Sequence, residues 1–204
     1  MFFLKGLLFG FLLAATVGPM WVLCFRRTLT QGALVGFVSG MGIAVADGIY
    51  GTVAAFGLTA ISGFLLQHGY WIGLVGGVFL LYLGTRTLLA RPELQEANAN
   101  PGGLAQGFLS TLGLTLANPP TILAFAAIFA GLGLVTSDYA TAALVVLGVF
   151  LGSASWWILL ATGAGWLRNK LIGTRGSRLF RVINIVAGVT ILCFALWQLA
   201  VVLR

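Results

Sequence analysis

The sequence predicts an all-α membrane protein of six transmembrane helices, arranged as two inverted three-helix repeats. Its first and fourth helices are expected to be broken at Gly18-Pro19 and Asn118-Pro119-Pro120. Three observations carry this expectation. The 204-residue chain is 60% hydrophobic and only 7% charged, whereas a water-facing domain carries about 25% charged residues. Its apolar stretches are long enough to cross a bilayer, which takes about 20 helical residues. The two proline-centred breaks lie 100 residues apart, from Gly18 to Asn118, inside two of those stretches. A break at membrane depth frees backbone polar groups, and survives only where protein or a cavity covers them. A matched pair in the two halves of a chain points to a transporter's binding site.

The six spans are expected near 2–24, 33–60, 69–90, 103–131, 139–161 and 182–203. Met1 to Ala15 has a signal-like apolar core but no convincing cationic leader, and Gly18-Pro19 occupies the place of a cleavage site. Further spans follow at once, so it reads as a retained first helix. Residues 92–102, with Pro92, Glu93, Gln95, Glu96, Asn98, Asn100 and Pro101, form the only strongly polar linker. It divides one transmembrane domain, 1–204, into repeats of approximately 1–90 and 103–204. Beyond the first spans, Gly36 and Gly40 align with Gly148 and Gly152 at an offset of 112, and Val75-Gly76 falls over Ala187-Gly188. Three spans is an odd number, so the second repeat enters the membrane from the opposite side. Small residues four apart, as in Gly32, Gly36 and Gly40, Gly73 and Gly77, and Gly148 and Gly152, permit close helix approach. They serve either the monomer's core or a homodimer seam.

The net charge of +7 does not point to nucleic acid, because the cations are sorted by side. Nine of the 11 fall on the side that holds loops 1–2, 3–4 and 5–6: Arg26, Arg27, Arg86, Arg91, Arg168, Lys170, Arg175, Arg178 and Arg181. Only Lys5 and Arg204 lie opposite. By the positive-inside rule those loops are cytoplasmic, and both termini are periplasmic or extracellular. A five-span alternative with one re-entrant stretch distributes the charges less well. The basic loops are also suited to anionic lipid headgroups, and drawing anionic substrate groups to the inner mouth is a further role open to them. Cys24 and Cys193 lack CxxC spacing and imply neither a disulfide framework nor a thiol relay.

Asp47 is the only carboxylate within an expected span, close to the midpoint of 33–60. A charge at the bilayer centre costs about 3 kcal/mol even on lenient scales, and usually faces a cavity. Desolvation favours its neutral form, which suits a proton carrier; when ionised it suits an ammonium group. The structural alternative is a carboxylate bonded to Tyr50 or Thr52. At the first break Thr16 offers a hydroxyl and Pro19 suits the first position of a new half-helix. At the second, Asn118 is a good N-cap, followed by Pro119 and Pro120. Half-helix N-termini favour a carboxylate, so a zwitterionic amino acid answers both features better than a sugar or a metal ion. Tyr50, Ser155, Trp156 and Trp157 are candidates for a cavity wall or gate. Trp21, Trp71, Trp166 and Trp197 read as interface anchors or packing residues. His68 and Asp138 read as ordinary loop residues. No metal site, cofactor or nucleophile–base pair is visible, so an enzyme is not expected.

The chain resembles the LysE/RhtB superfamily of small bacterial amino-acid exporters. The likeness rests on Ala15-Thr16-Val17-Gly18-Pro19, the glycine-rich run to Ala46-Asp47-Gly48, Val75-Gly76-Gly77-Val78-Phe79-Leu80-Leu81-Tyr82-Leu83-Gly84, and Leu116-Ala117-Asn118-Pro119. The resemblance implies efflux of amino acids or related metabolites across the bacterial inner membrane, driven by protons or the membrane potential, as in an antiporter. The chain departs from the family pattern at Pro120-Thr121 and around Phe129-Ala130-Gly131, which bears on substrate more than on fold. The alternatives are a small cation or metal-ion exporter using Asp47, or a non-transporting membrane assembly protein.

Overall fold

In the computed structural model, the described residues are 1–56, 67–89, 101–118, 121, 124–125, 129, 138–171 and 176–203. Among them are seven α-helices and no strand: α1 (Phe2–Ala15), α2 (Pro19–Gln31), α3 (Ala33–Ala55), α4 (Gly69–Leu89), α5 (Pro101–Leu116), α6 (Tyr139–Leu171) and α7 (Gly176–Val202). Most of the polar linker, and Pro119-Pro120, lie outside the described residues.

The expected first span is two helices set at 74° to each other. Thr16 ends α1 in extended conformation and its hydroxyl turns back to the Leu13 carbonyl at 2.6 Å. Gly18 is also extended, and Pro19, which has no N–H to lose, opens α2. Arg26 and Arg27 therefore lie on a helix rather than in the expected loop, because α2 continues to Gln31 and polar groups of other helices receive both guanidiniums. Gly32 joins α2 to α3 with φ 106°, a conformation open at low cost only to glycine, which has no Cβ.

Helices α3, α6 and α7 are each long and apolar enough to cross a membrane, and the bent pair α1–α2 adds a fourth candidate. The apolar part of α4, Gly73–Leu89, is shorter than a full span, and α5 stops after 16 residues at Leu116, immediately before the second break. Helix α6 runs 33 residues, well past the expected end at 161, with Arg168 and Lys170 in its last turn. Asp138 is more than a loop charge. Its carboxylate accepts the Thr141 N–H at 3.0 Å and the Thr141 hydroxyl, which caps the start of α6.

Apolar burial gives helices little reason to associate inside lipid, so close fit and polar contacts must hold them. α1 packs most extensively on α6. There Gly6 and Gly10 lie against the Val145 and Val149 carbonyls, while Gly148 and Gly152 receive the backbone of α1 at Phe3, Leu7 and Phe11. A Cβ at any of the four would collide with main chain. The glycine rows thus build the monomer's own core: Gly36 meets Thr28, Gly40 meets Trp157, and Gly77 meets Leu199. α3 packs against both α6 and α5, α4 against α7, and α2 sits among α3, α6 and α7. Past the second break, Phe125 and Phe129 set their rings against Phe9 of α1, with centroids at 5.0 and 5.7 Å.

Candidate functional site

Asp47 lies in the seam between α3 and α6, only 2% exposed. Its Oδ2 accepts a hydrogen bond from the Ser153 hydroxyl at 2.7 Å. The Trp157 indole N–H in turn donates to the Ser153 oxygen at 3.2 Å. Ser153 and Trp157 are one turn apart on α6, so a single helical face supplies both groups. The expected structural partners lie elsewhere. The Thr52 hydroxyl bonds the Gly48 carbonyl at 2.8 Å, and the Tyr50 hydroxyl reaches the Leu116 carbonyl at 2.7 Å.

The Tyr50 bond joins Asp47's helix to the second break. Leu116 is the last residue of α5, where carbonyls lose their helical partners. Beyond it the Asn118 amide donates to the Thr121 hydroxyl at 3.0 Å, and the Thr121 N–H returns to the Asn118 carbonyl at 3.1 Å. Thr115, just before this break, is 3% exposed, and its hydroxyl is buried without a hydrogen-bond partner. Gly76 of α4 approaches the Ala117 carbonyl, and the Gln198 amide of α7 bonds the Gly73 carbonyl at 2.9 Å. The first break meets the same network from the other side. Ala14 and Met20, which flank it, pack with Cys24, Ile43, Ala44, Ala154 and Trp157.

The expected gate residues divide. Trp157 is buried in the Asp47 network, and Tyr50 ties α3 to α5. Trp156 is half-buried, edge-on to Phe11 at 5.4 Å, with its indole nitrogen unpartnered. Ser155 is exposed and bonds its own helix at Leu151. Leu159, which the repeat offset of 112 sets opposite Asp47, faces outward. Of the tryptophans read as anchors, Trp71, Trp166 and Trp197 are exposed, with Lys170 3.8 Å above the Trp166 ring, while Trp21 stacks on Phe25 at 5.0 Å. Ser153 escaped sequence reasoning; its one signal was a hydroxyl spaced four residues before Trp157.

An apolar cavity of about 450 Å³ follows the α3–α6 seam beside Gly48, Ile49, Thr52 and Phe150. A second, of about 660 Å³, is lined by both polar and apolar side chains and lies at the end of the bundle where α2 and α4 finish. Asp47 lines neither. Among the described residues there is no group of three His, Cys, Asp or Glu side chains able to hold a metal ion.

Apolar helices closed by glycine contacts, bent at Gly18-Pro19 and enclosing, among the described residues, the buried carboxylate of Asp47, fit a multi-pass membrane protein. The chain belongs to the LysE type translocator family, whose sequence model matches residues 11–201. It is similar to "Putative amino acid efflux protein YcgF" of Bacillus subtilis, with 27% identity over 210 residues covering 96% of this chain and 93% of that protein. It is also similar to two Pseudomonas aeruginosa proteins. "Chemotactic transduction protein ChpE" is 27% identical over 82% of this chain and 84% of its own length. "Uncharacterized membrane protein PA4757" is 28% identical, with 82% of each chain covered. No solved structure matches the chain.

Proposed function

We propose that this translocator exports amino acids or closely related small zwitterionic metabolites by alternating access, coupled to the proton-motive force across the bacterial inner membrane. One observation carries the reading: α3 connects the buried carboxylate to both helix breaks. Asp47 accepts from Ser153, which in turn accepts from Trp157 beside the residues flanking Gly18-Pro19, and Tyr50 on the same helix reaches the Leu116 carbonyl beside Asn118. A displacement of α3 therefore acts on both breaks together.

In this mechanism the positive dipole ends of the half-helix starts, around Thr16, Gly18 and Pro19 and around Asn118, Pro119 and Pro120, receive the substrate carboxylate. Asp47 receives the ammonium group or exchanges a proton. The enclosed Asp47–Ser153 pair represents a closed state, and access switches when Asp47 exchanges Ser153 for substrate or proton. Trp156 and Trp157 bound the path, with Ser155 on the outer face of the same helix.

The helix pairing supports inverted repeats of approximately 1–90 and 103–204. The first helix of each half packs on the second helix of the other, α1 on α6 and α5 on α3, while α3–α6 and α4–α7 join equivalent helices. A two-fold axis relating the halves requires that pattern. The charge sorting supports cytoplasmic basic ends and periplasmic termini.

Uptake and counterflow in proteoliposomes, across an amino-acid panel and with or without a pH gradient, test the reading. Saturable flux that responds to the gradient and disappears in a folded Asp47→Asn variant is the expected result. The name of the Pseudomonas relative ChpE raises a second reading, a membrane signalling component. Folded, correctly oriented wild-type protein with no flux of any panel member would favour it.

A further inference from the structure

The 660 Å³ cleft opens where the C-terminal ends of α2 and α4 meet the beginnings of α5 and α7. Arg26 and Arg27 of α2 and Arg86 of α4 line it, with Gln106 and Ser110 of α5 and Asn184 of α7. No Asp or Glu among the described residues does so. Arg27, only 8% exposed, donates to the Ser39 hydroxyl at 3.0 Å, the Gly107 carbonyl at 3.0 Å and the Ser110 hydroxyl at 2.8 Å. The Arg26 Nε–H donates to the Asn184 side-chain oxygen at 2.8 Å. These neutral acceptors orient the guanidiniums without cancelling their charge.

Three like charges around one recess repel each other, and burying Arg27 adds a desolvation cost. Low-dielectric walls concentrate the resulting positive potential inside the cleft. A planar guanidinium offers paired N–H donors that match a carboxylate. The first turns of α5 add the positive end of a helix dipole in the same direction.

We propose that this cleft is a binding site for a small soluble organic anion, held through its carboxylate groups at the inner mouth. Its assignment to outgoing cargo rests on the export reading above and narrows the cargo to solutes with net negative charge, such as an amino acid with a second carboxylate. Such a solute gains from more than one guanidinium, whereas the ammonium of a neutral amino acid opposes part of its single carboxylate's gain. The site's position among the basic helix ends puts it on the cytoplasmic side under the positive-inside rule.

The test is direct binding to the purified full-length chain, read by calorimetry without any flux. L-glutamate, L-alanine and inorganic phosphate are the probes in uncharged detergent. Glutamate should bind saturably and more tightly than alanine or phosphate, and added salt should weaken it. Arg86 is exposed, so Arg86→Gln should fold, and its glutamate affinity should fall about tenfold through loss of one charge-assisted contact. Arg86→Lys should retain part of that affinity. Glutamate affinity should be the same in phosphatidylcholine nanodiscs with and without phosphatidylglycerol.

Absent glutamate binding, or binding unchanged in Arg86→Gln, overturns the proposal. Equal binding of phosphate overturns the carboxylate assignment. Loss of glutamate binding only in phosphatidylglycerol discs makes the cleft a lipid headgroup site. Glu93 and Glu96, outside the described residues, supply a further arm: glutamate binding that appears only in E93Q/E96Q makes the chain's own carboxylates the occupant and overturns a soluble ligand. Binding without flux, or flux without binding, separates failure of one reading from failure of the other.

Discussion

Ser153 supplies the hydroxyl that meets the enclosed Asp47 carboxylate. Replacing Ser153 with alanine removes the hydroxyl donor at 2.7 Å while leaving the carboxylate enclosed, a change that costs about 1–3 kcal/mol for an unsatisfied buried group. Asp47→Asn keeps an acceptor oxygen toward Ser153 and should cost less. Thermal unfolding in detergent should therefore order the proteins wild type, Asp47→Asn, Ser153→Ala, from most to least stable. Tyr50→Phe removes the hydroxyl that serves the Leu116 carbonyl and should lower stability by about 1 kcal/mol. Asp47 was legible in the sequence because a lone carboxylate inside an apolar stretch has no cheap structural use. Ser153 was not, since Ser153, Ser155 and Thr162 all stand on one long helix and only its rotation distinguishes them. The more prominent Ser155 is turned outward and bonds its own helix.

At the scale of elements, the α1–α6 contact depends on the absence of side chains. Gly148→Val would drive a side chain into the α1 backbone at Phe3 and Leu7. The expected cost is about 1–3 kcal/mol or more from overpacking, read as a lower melting temperature and loss of monodisperse protein on size exclusion. Gly163, on the same helix, has open space where its Cβ would be, so Gly163→Ala should be neutral or slightly stabilising. The start of α6 carries a pH signature. Hydrogen bonds from Thr141 hold the Asp138 carboxyl below the usual carboxylate range. Its capping contribution is accordingly present at neutral pH and lost as the pH falls through that lowered value. The melting-temperature gap between wild type and Asp138→Ala should be largest near neutrality and close in strong acid. Glycine spacing along the chain announced close packing, but the partner face depended on helix crossings that spacing does not contain.

For the whole molecule, the pairing of α1 with α6, α5 with α3, α3 with α6 and α4 with α7 weaves the two halves together rather than setting them side by side. A chain cut in the linker should therefore leave neither half folded alone, while co-expressed halves should reassemble. Co-purification of tagged 1–95 and 96–204 fragments, compared with each expressed singly, checks this. The charge sorting makes a separate prediction about orientation. A phosphatase fused after Arg204 should be active and a fluorescent protein fused there dark, if the C-terminus is periplasmic; the reverse pattern would invert the orientation.

The sequence by itself determined the membrane character, the positions of the two breaks, the isolation of Asp47 and the sorting of cations. Each follows from local rules: apolar length, proline's missing N–H, the cost of a buried charge, and the polarity of insertion. Tertiary structure alone decided that Ser153 partners Asp47, that the glycine rows close on the monomer's own helices, and that Arg26, Arg27 and Arg86 converge on one cleft. Those outcomes depend on how far each helix is rotated and where it crosses its neighbour. Two residues adjacent in the chain project about 100° apart on a helix, so a small change in rotation would have exchanged partner for lipid.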